Sequence, residues 1–231
     1  MTPRDTRMAP RDQDLPHTHV RAIRTSTKAN AVYQEVRRLI IEGGLEPGST
    51  LNQEVLASDL GLSVTPLREA LRGLEAEGLL RLSAHRTITI TPLTLSEVED
   101  LYAVRLRLDP WAAGLAAQHA SDEALENAAR LAAATIETSA GEALGLNREF
   151  HRAVYSAAGN EVLTKTLDQL WTQTDRYRFI LLSDDDDAQE AALEHLEITK
   201  ALQSRDRAGV AKLTKDHVER ALALIRQVAG D

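Results

Sequence analysis

The chain of 231 residues has no cysteine, which excludes a disulfide framework and a thiolate metal site and fits a reducing cytoplasm. No apolar run reaches membrane-spanning length and no apolar segment near the start reads as a secretory signal, so a cytoplasmic chain with no membrane partner is expected. The net charge of -8 is unevenly placed: residues 1–92 carry 12 Lys+Arg against 11 Asp+Glu, residues 93–231 carry 15 against 24, and only the first part is free to meet phosphate.

Hydrophobic residues make up 43% and aromatics 3%, and the dominance of alanine and leucine favours helices. Residues 1–28 mix Pro, Arg, Asp, Thr and His without periodicity and are expected to be a disordered tail. Asn30 to Glu42 follows as a helix, with Val32, Val36, Leu39 and Ile40 as its stripe and Gly43-Gly44 as its stop. Pro47-Gly48 marks a turn. A short helix runs from Asn52, a candidate N-cap, to Leu60, and Gly61 makes a tight turn.

The next stretch is the most informative. Leu67, Ala70, Leu71 and Leu74 recur at spacings of three and four, Ser63 or Thr65 can cap the start, Pro66 sits in the first turn and Gly78 ends the helix. Arg68 and Arg72 lie one turn apart on the polar face. Helix, short helix, turn, helix is the helix-turn-helix order. Leu80-Arg81-Leu82 and Thr87-Ile88-Thr89-Ile90 then alternate as two strands around Ser83-Ala84-His85-Arg86, a hairpin wing with a basic tip. Domain boundaries are expected at 29–92 for this winged helix-turn-helix unit and 93–231 for the remainder.

From Ser96 onward every period is helical. Helices are expected near 95–119, 121–139, 141–158, 160–182, 187–204 and 206–228, an all-α antiparallel bundle. The fold class is therefore mainly α, with a small β-hairpin wing on its N-terminal unit. Ser183 with Asp184 to Asp187 reads as a solvated acidic loop entering a helix N-terminus, where negative charge suits the dipole.

Three histidines fall on the inner stripes of three separate helices: His151 with Leu144, Asn147 and Val154; His195 with Ala191 and Ile198; His217 with Val210, Leu213 and Leu224. A histidine on an apolar face is ordinarily a satisfied core residue. Three from one bundle stand evenly between satisfied core residues and neutral ligands of one divalent metal, which would remove three desolvation costs. Asn147, one turn before His151, can complete the set. Zinc suits three imidazoles, with nickel or manganese as further options. Glu149 and Glu194 lie near these histidines in sequence, but neither falls on a ligand stripe.

Two stretches carry a resemblance. Ser63-Val64-Thr65-Pro66-Leu67-Arg68-Glu69-Ala70-Leu71-Arg72-Gly73-Leu74-Glu75-Ala76-Glu77-Gly78-Leu79 resembles the recognition-helix signature of GntR-family transcriptional regulators. That family usually has arginine where Val64 stands, and often glycine where Thr87 stands. Leu146-Asn147-Arg148-Glu149-Phe150-His151-Arg152-Ala153-Val154-Tyr155-Ser156-Ala157-Ala158-Gly159-Asn160 resembles the middle signature of the FadR-type, metal-dependent FCD ligand-binding domain. His195 and His217 occupy its two later histidine positions, and Tyr102 to Pro110 resembles its first helix, where Arg105 stands at an effector-contacting position. Many relatives have aspartate at position 147.

The resemblance implies a ligand-responsive regulator, a repressor more often than not, that binds double-stranded operator DNA as a homodimer. Thr65, Arg68, Arg72, His85 and Arg86 are the expected DNA contacts. Asn147, His151, His195 and His217 are the expected metal ligands, and Arg105 the expected partner of a small organic acid. Two other readings stay open: a metal-dependent enzyme fused to a DNA-binding module, and a constitutive DNA-binding protein with a structural helical core. The chain has no HExxH, nucleophile elbow or phosphate loop to support the enzyme.

Overall fold

The computed structural model describes residues 26–230 apart from 84, 85, 137, 139 and 183. Its order is α1 (Ser26–Ile41), β1 (Thr50–Asn52), α2 (Gln53–Asp59), α3 (Val64–Ala76), β2 (Leu80–Leu82), β3 (Thr87–Ile90), then α4 (Leu95–His119), α5 (Asp122–Ile136), α6 (Ala140–Ser156), α7 (Glu161–Leu181), α8 (Asp185–Gln203) and α9 (Arg207–Gly230). Helix α1 begins at Ser26, four residues before the expected start. The rest of the expected tail, 1–25, lies outside the described residues, as does His85 at the wing tip.

The N-terminal unit folds around one apolar cluster. Val36 and Ile40 of α1, Leu67, Leu71 and Leu74 of α3, and Ile88 and Ile90 of β3 are all buried in it. Asn52 caps α2, its side chain accepting from Glu54 N–H at 2.7 Å. Ser63 takes the N-cap position of α3 with extended backbone, but its side chain makes no cap bond, and Thr65 lies inside the helix. Gly78, at φ +79°, gives the left-handed turn that releases the chain into β2.

The wing is a three-stranded antiparallel sheet in the order β1-β3-β2. Leu82 pairs with Ile88, and Leu51 of β1 pairs with the other edge of Ile88. Strand β1 was not expected, because three residues between a Pro-Gly turn and a helix cap are too few to show alternation.

The C-terminal unit packs α4 against α9 and α7, and α5 against α6 and α8. Small alanines of α4 (Ala112, Ala113, Ala116, Ala117) let the helices approach closely around Phe150, Leu167, Ile198 and Val210. Asn160 caps α7 through Leu163 N–H at 3.1 Å, and Asp184 caps α8 through Asp186 and Asp187 N–H. The acidic run is thus a helix start.

Helix α7 also holds the two units together. Asp175 pairs with Arg37 of α1, and Arg176 donates to the carbonyl of Thr91. The Tyr177 hydroxyl accepts from Thr94 N–H at 3.1 Å and lies 2.9 Å from Glu97 Oε2.

Candidate metal centre, effector cavity and DNA-facing surface

The three inner histidines meet. His151 of α6, His195 of α8 and His217 of α9 are buried, and one ring nitrogen of each lies within 4.8 Å of the others. The Nε2 atoms of His151 and His195 are 3.1 Å apart. Phe150 packs against the His195 ring and Trp171 against the His151 ring.

Neighbouring groups set which nitrogen faces inward. The Tyr155 hydroxyl donates to Asp109 Oδ2 at 2.9 Å, so it receives from His151 Nδ1 at 3.1 Å, leaving His151 Nε2 as the lone-pair atom. His217 Nδ1 is 2.5 Å from Glu194 Oε2, which likewise leaves its Nε2 for the site. Glu194 is held in turn by Arg220 Nε at 2.7 Å. Burial raises the Glu194 pKa, and its bonds from His217 and Arg220 more than reverse this, so its carboxyl sits below the ordinary value.

Burial is also the main reason that His151 and His195 are held well below the usual imidazole range, with the neighbouring histidine positions adding to it. Both are neutral at physiological pH, the state a metal ligand needs. The donor set fits a divalent ion: bonds of about 2.0–2.1 Å to two imidazoles put their nitrogens roughly 3–3.5 Å apart, as His151 and His195 are.

A cavity of about 30 Å³ opens beside the histidines, lined among others by Tyr102, Arg105, Asn147, Trp171, Arg178 and His217. Two of these are buried arginines. Arg105 reaches Asp109 Oδ2 through Nε (3.2 Å) and Nη2 (2.8 Å). Burial pulls its pKa down, and Asp109 restores it above the ordinary value. Arg178 donates to Asp175 Oδ1 at 2.5 Å and to the Trp171 carbonyl at 3.0 Å. Burial lowers it to about 10, so it is still charged. Their guanidinium carbons stand 4.5 Å and 3.4 Å from the Trp171 ring centroid.

Arg105 therefore both forms an ion pair inside the bundle and faces the cavity. Arg105 Nη1, Arg178 Nε and Nη1, Tyr102 Oη and Trp171 Nε1 have no hydrogen-bond partner among the described residues. Orphaned donors this deeply buried are costly. Sequence reasoning missed Arg178, whose helical stripe reads as ordinary packing. It also set Glu194 aside, although its place next to His195 was the available signal.

In the N-terminal unit, Thr65, Arg68 and Arg72 are exposed along α3. Arg68, Arg72 and Arg86 line one concave surface with Gln53 and Ser83. Arg86 is paired with Glu54, and both are more than half exposed, so that pair is cheap to exchange for a phosphate. Val64, at the first turn, packs partly against the N-terminal core.

The bacterial regulatory proteins of the gntR family match residues 28–90, and the FCD domain matches residues 100–220. The chain belongs to the GntR family. The Nta operon transcriptional regulator of Aminobacter aminovorans is 32% identical over 185 residues, which are 79% of this chain and 87% of that protein. The HTH-type transcriptional repressor GlaR of Escherichia coli is 27% identical over 218 residues, 86% of this chain and 96% of that one. Among solved structures, Escherichia coli McbR/YncC shares the fold with a TM-score of 0.72 at 21% identity, covering 87% of this chain and 98% of that chain. This GntR-family chain is a DNA-binding transcriptional regulator with an FCD domain; its relatives and both matched families are regulators rather than enzymes. None of its described helices is long and apolar enough to cross a membrane.

Proposed function

We propose that this regulator is a cytoplasmic homodimeric repressor, released from or recruited to operator DNA by a small organic acid that binds beside a divalent metal. The helical domain of residues 93–231 senses, and the winged unit of residues 29–92 reads DNA. His151, His195 and His217 would hold the metal through Nε2, with the Asn147 amide as a fourth ligand and zinc as the best chemical match. Bound there, a divalent ion supplies a Lewis-acid position for a carboxylate oxygen. Asparagine in place of aspartate leaves the site one charge more positive, which favours an anionic guest.

The observation that supports this reading is the pair of buried arginines whose guanidinium nitrogens have no partner among the described residues, in the wall next to three converging imidazoles. Arginine offers a planar fork that matches a carboxylate. The cavity's size restricts the guest to a few heavy atoms unless side chains shift. At the DNA end, Arg68 and Arg72 contact bases or phosphates in the major groove, Thr65 supports them, and His85 and Arg86 bring the wing to the backbone or minor groove. A dimer follows from the few base pairs one short helix reads.

The test is a thermal-shift screen of small mono-, di- and hydroxycarboxylates on the full chain, with and without chelator. A carboxylate at about 100 times its Kd adds about 2.7 kcal/mol of stability. This stabilisation should vanish when the metal is stripped. No stabilisation by any carboxylate, or stabilisation indifferent to chelator, would overturn the effector assignment.

A further inference from the structure

We propose that Arg178 connects the effector cavity to the DNA-binding unit by competing with Arg37 for the single carboxylate of Asp175. The proposal rests on the reading above, in which an anion occupies that cavity.

Asp175 is almost wholly buried, at 1% exposure, and among the described residues three guanidinium groups meet it. Arg178 donates to its Oδ1 at 2.5 Å. Arg37 of α1 and Arg148 of α6 both donate to its Oδ2, and Arg148 is further held by Thr172 Oγ1 at 2.8 Å. One negative charge thus serves three positive ones. Each pairing is weakened by repulsion among the other two, screened only in part because Asp175 and Arg178 are buried while Arg37 and Arg148 are partly exposed.

The three arginines are not equivalent. Arg148 and Arg178 belong to the sensing bundle, and Arg178 alone lines the cavity, where its Nε and Nη1 have no partner among the described residues. Arg37 alone comes from the DNA-binding unit, 138 residues away in sequence. An anion beside Arg178 compensates that guanidinium from the other side and lessens its claim on Asp175. The carboxylate is then held more fully by Arg37, and α1 is drawn onto α7. Occupancy therefore favours the placement in which the two units are docked. The next residues of the same helical turn, Arg176 and Tyr177, hold Thr91 and Thr94, so the move is transmitted to a joint already anchored on α7.

The test is a mutant cycle read by amide hydrogen exchange in residues 34–41 of the full chain, with no carboxylate present. Arg37→Gln should speed exchange at least about twofold, the lower end of coupling between contacting charges. Arg178→Gln, which removes the competitor as a bound anion does, should slow it, and Arg178→Lys should do so less. In the Arg37→Gln background, Arg178→Gln should change nothing further. Should Arg178→Gln unfold the chain, the Arg178→Lys arm of the same cycle decides. An equal effect of the Arg178 change with and without Arg37, or none in either, overturns the proposal. Because no ligand is added, carboxylate stabilisation with an additive cycle leaves the effector reading standing and removes the relay. A coupled cycle with no carboxylate binding does the reverse.

Discussion

The Nε2 atoms of His151 and His195 face each other at 3.1 Å, from helices that meet through the bundle core. Two lone-pair nitrogens at that distance need either one shared proton or one shared cation. If it is a cation, His195→Ala should abolish stoichiometric metal in elemental analysis of purified protein, and His151→Ala likewise. Full metal retention by either variant excludes the site as drawn.

The carboxylate behind His217 makes a graded prediction. Glu194→Gln removes no ligand but loses the charged acceptor that orients His217 Nδ1. Removing such an outer partner typically costs about 10- to 100-fold in metal affinity. A competition titration against a chromogenic chelator measures this, and unchanged affinity would show that Glu194 serves only Arg220.

Acid should destabilise the metal-free chain. Burial holds the folded-state pKa of His151 and His195 well below the ordinary value. The unfolded chain therefore binds protons first, and the stability these groups confer is complete above about pH 6.5 and lost as pH falls toward their folded values. The Tm of chelator-treated protein should drop as pH falls below about 6.5. Replacing His151 by Gln should flatten that slope, and an unaltered slope would mean that these imidazoles are not the acid-sensitive groups.

Arg105→Lys separates the effector from the metal. The lysine keeps a positive charge near Asp109 but loses the fork that spans Asp109 and the cavity. Metal content should be unchanged while carboxylate stabilisation in the thermal-shift screen disappears. Arg105→Ala is a poorer probe, since it strands a buried Asp109 at a cost of about 3–5 kcal/mol.

On the DNA side, Arg68→Ala should weaken operator binding by about 1–3 kcal/mol and relax preference at one base position, as loss of a base contact does. Arg86→Ala should weaken binding evenly across sequences and lower the salt slope by about one phosphate contact. Fluorescence anisotropy over a salt series distinguishes them, and a uniform loss for Arg68→Ala would move it to the phosphate class.

Most of the architecture was legible because its punctuation is local. Asn52, Asn160 and Asp184 cap the helices they precede, and Gly78 turns with positive φ where the stripe of α3 ends. The histidine cluster could be anticipated because three rings lie on the apolar stripes of three helices of one bundle, whereas a single one would read as ordinary core. What could not be read depends on contacts between distant segments. Strand β1 exists only because β3 pairs with it. Asp175 is one more polar residue on a helix until Arg37 arrives from another unit. Arg105 reads from the sequence as the partner of an effector, and the ion pair it makes with Asp109, leaving Nη1 without a partner among the described residues, is visible only in the folded bundle.

The anchoring of Thr91 and Thr94 on α7 has a consequence for the operator. A reader on a slack tether accepts half-sites at many separations, whereas one clamped at both ends of its short connection acts as a caliper with fixed jaws. Inserting one base pair between the half-sites shifts the second by roughly 3.4 Å and about a tenth of a turn. In the proposed dimer that mismatch must be met by twisting DNA or by breaking the bonds to Thr91 and Thr94. Binding should therefore discriminate spacer length about as sharply as it discriminates sequence.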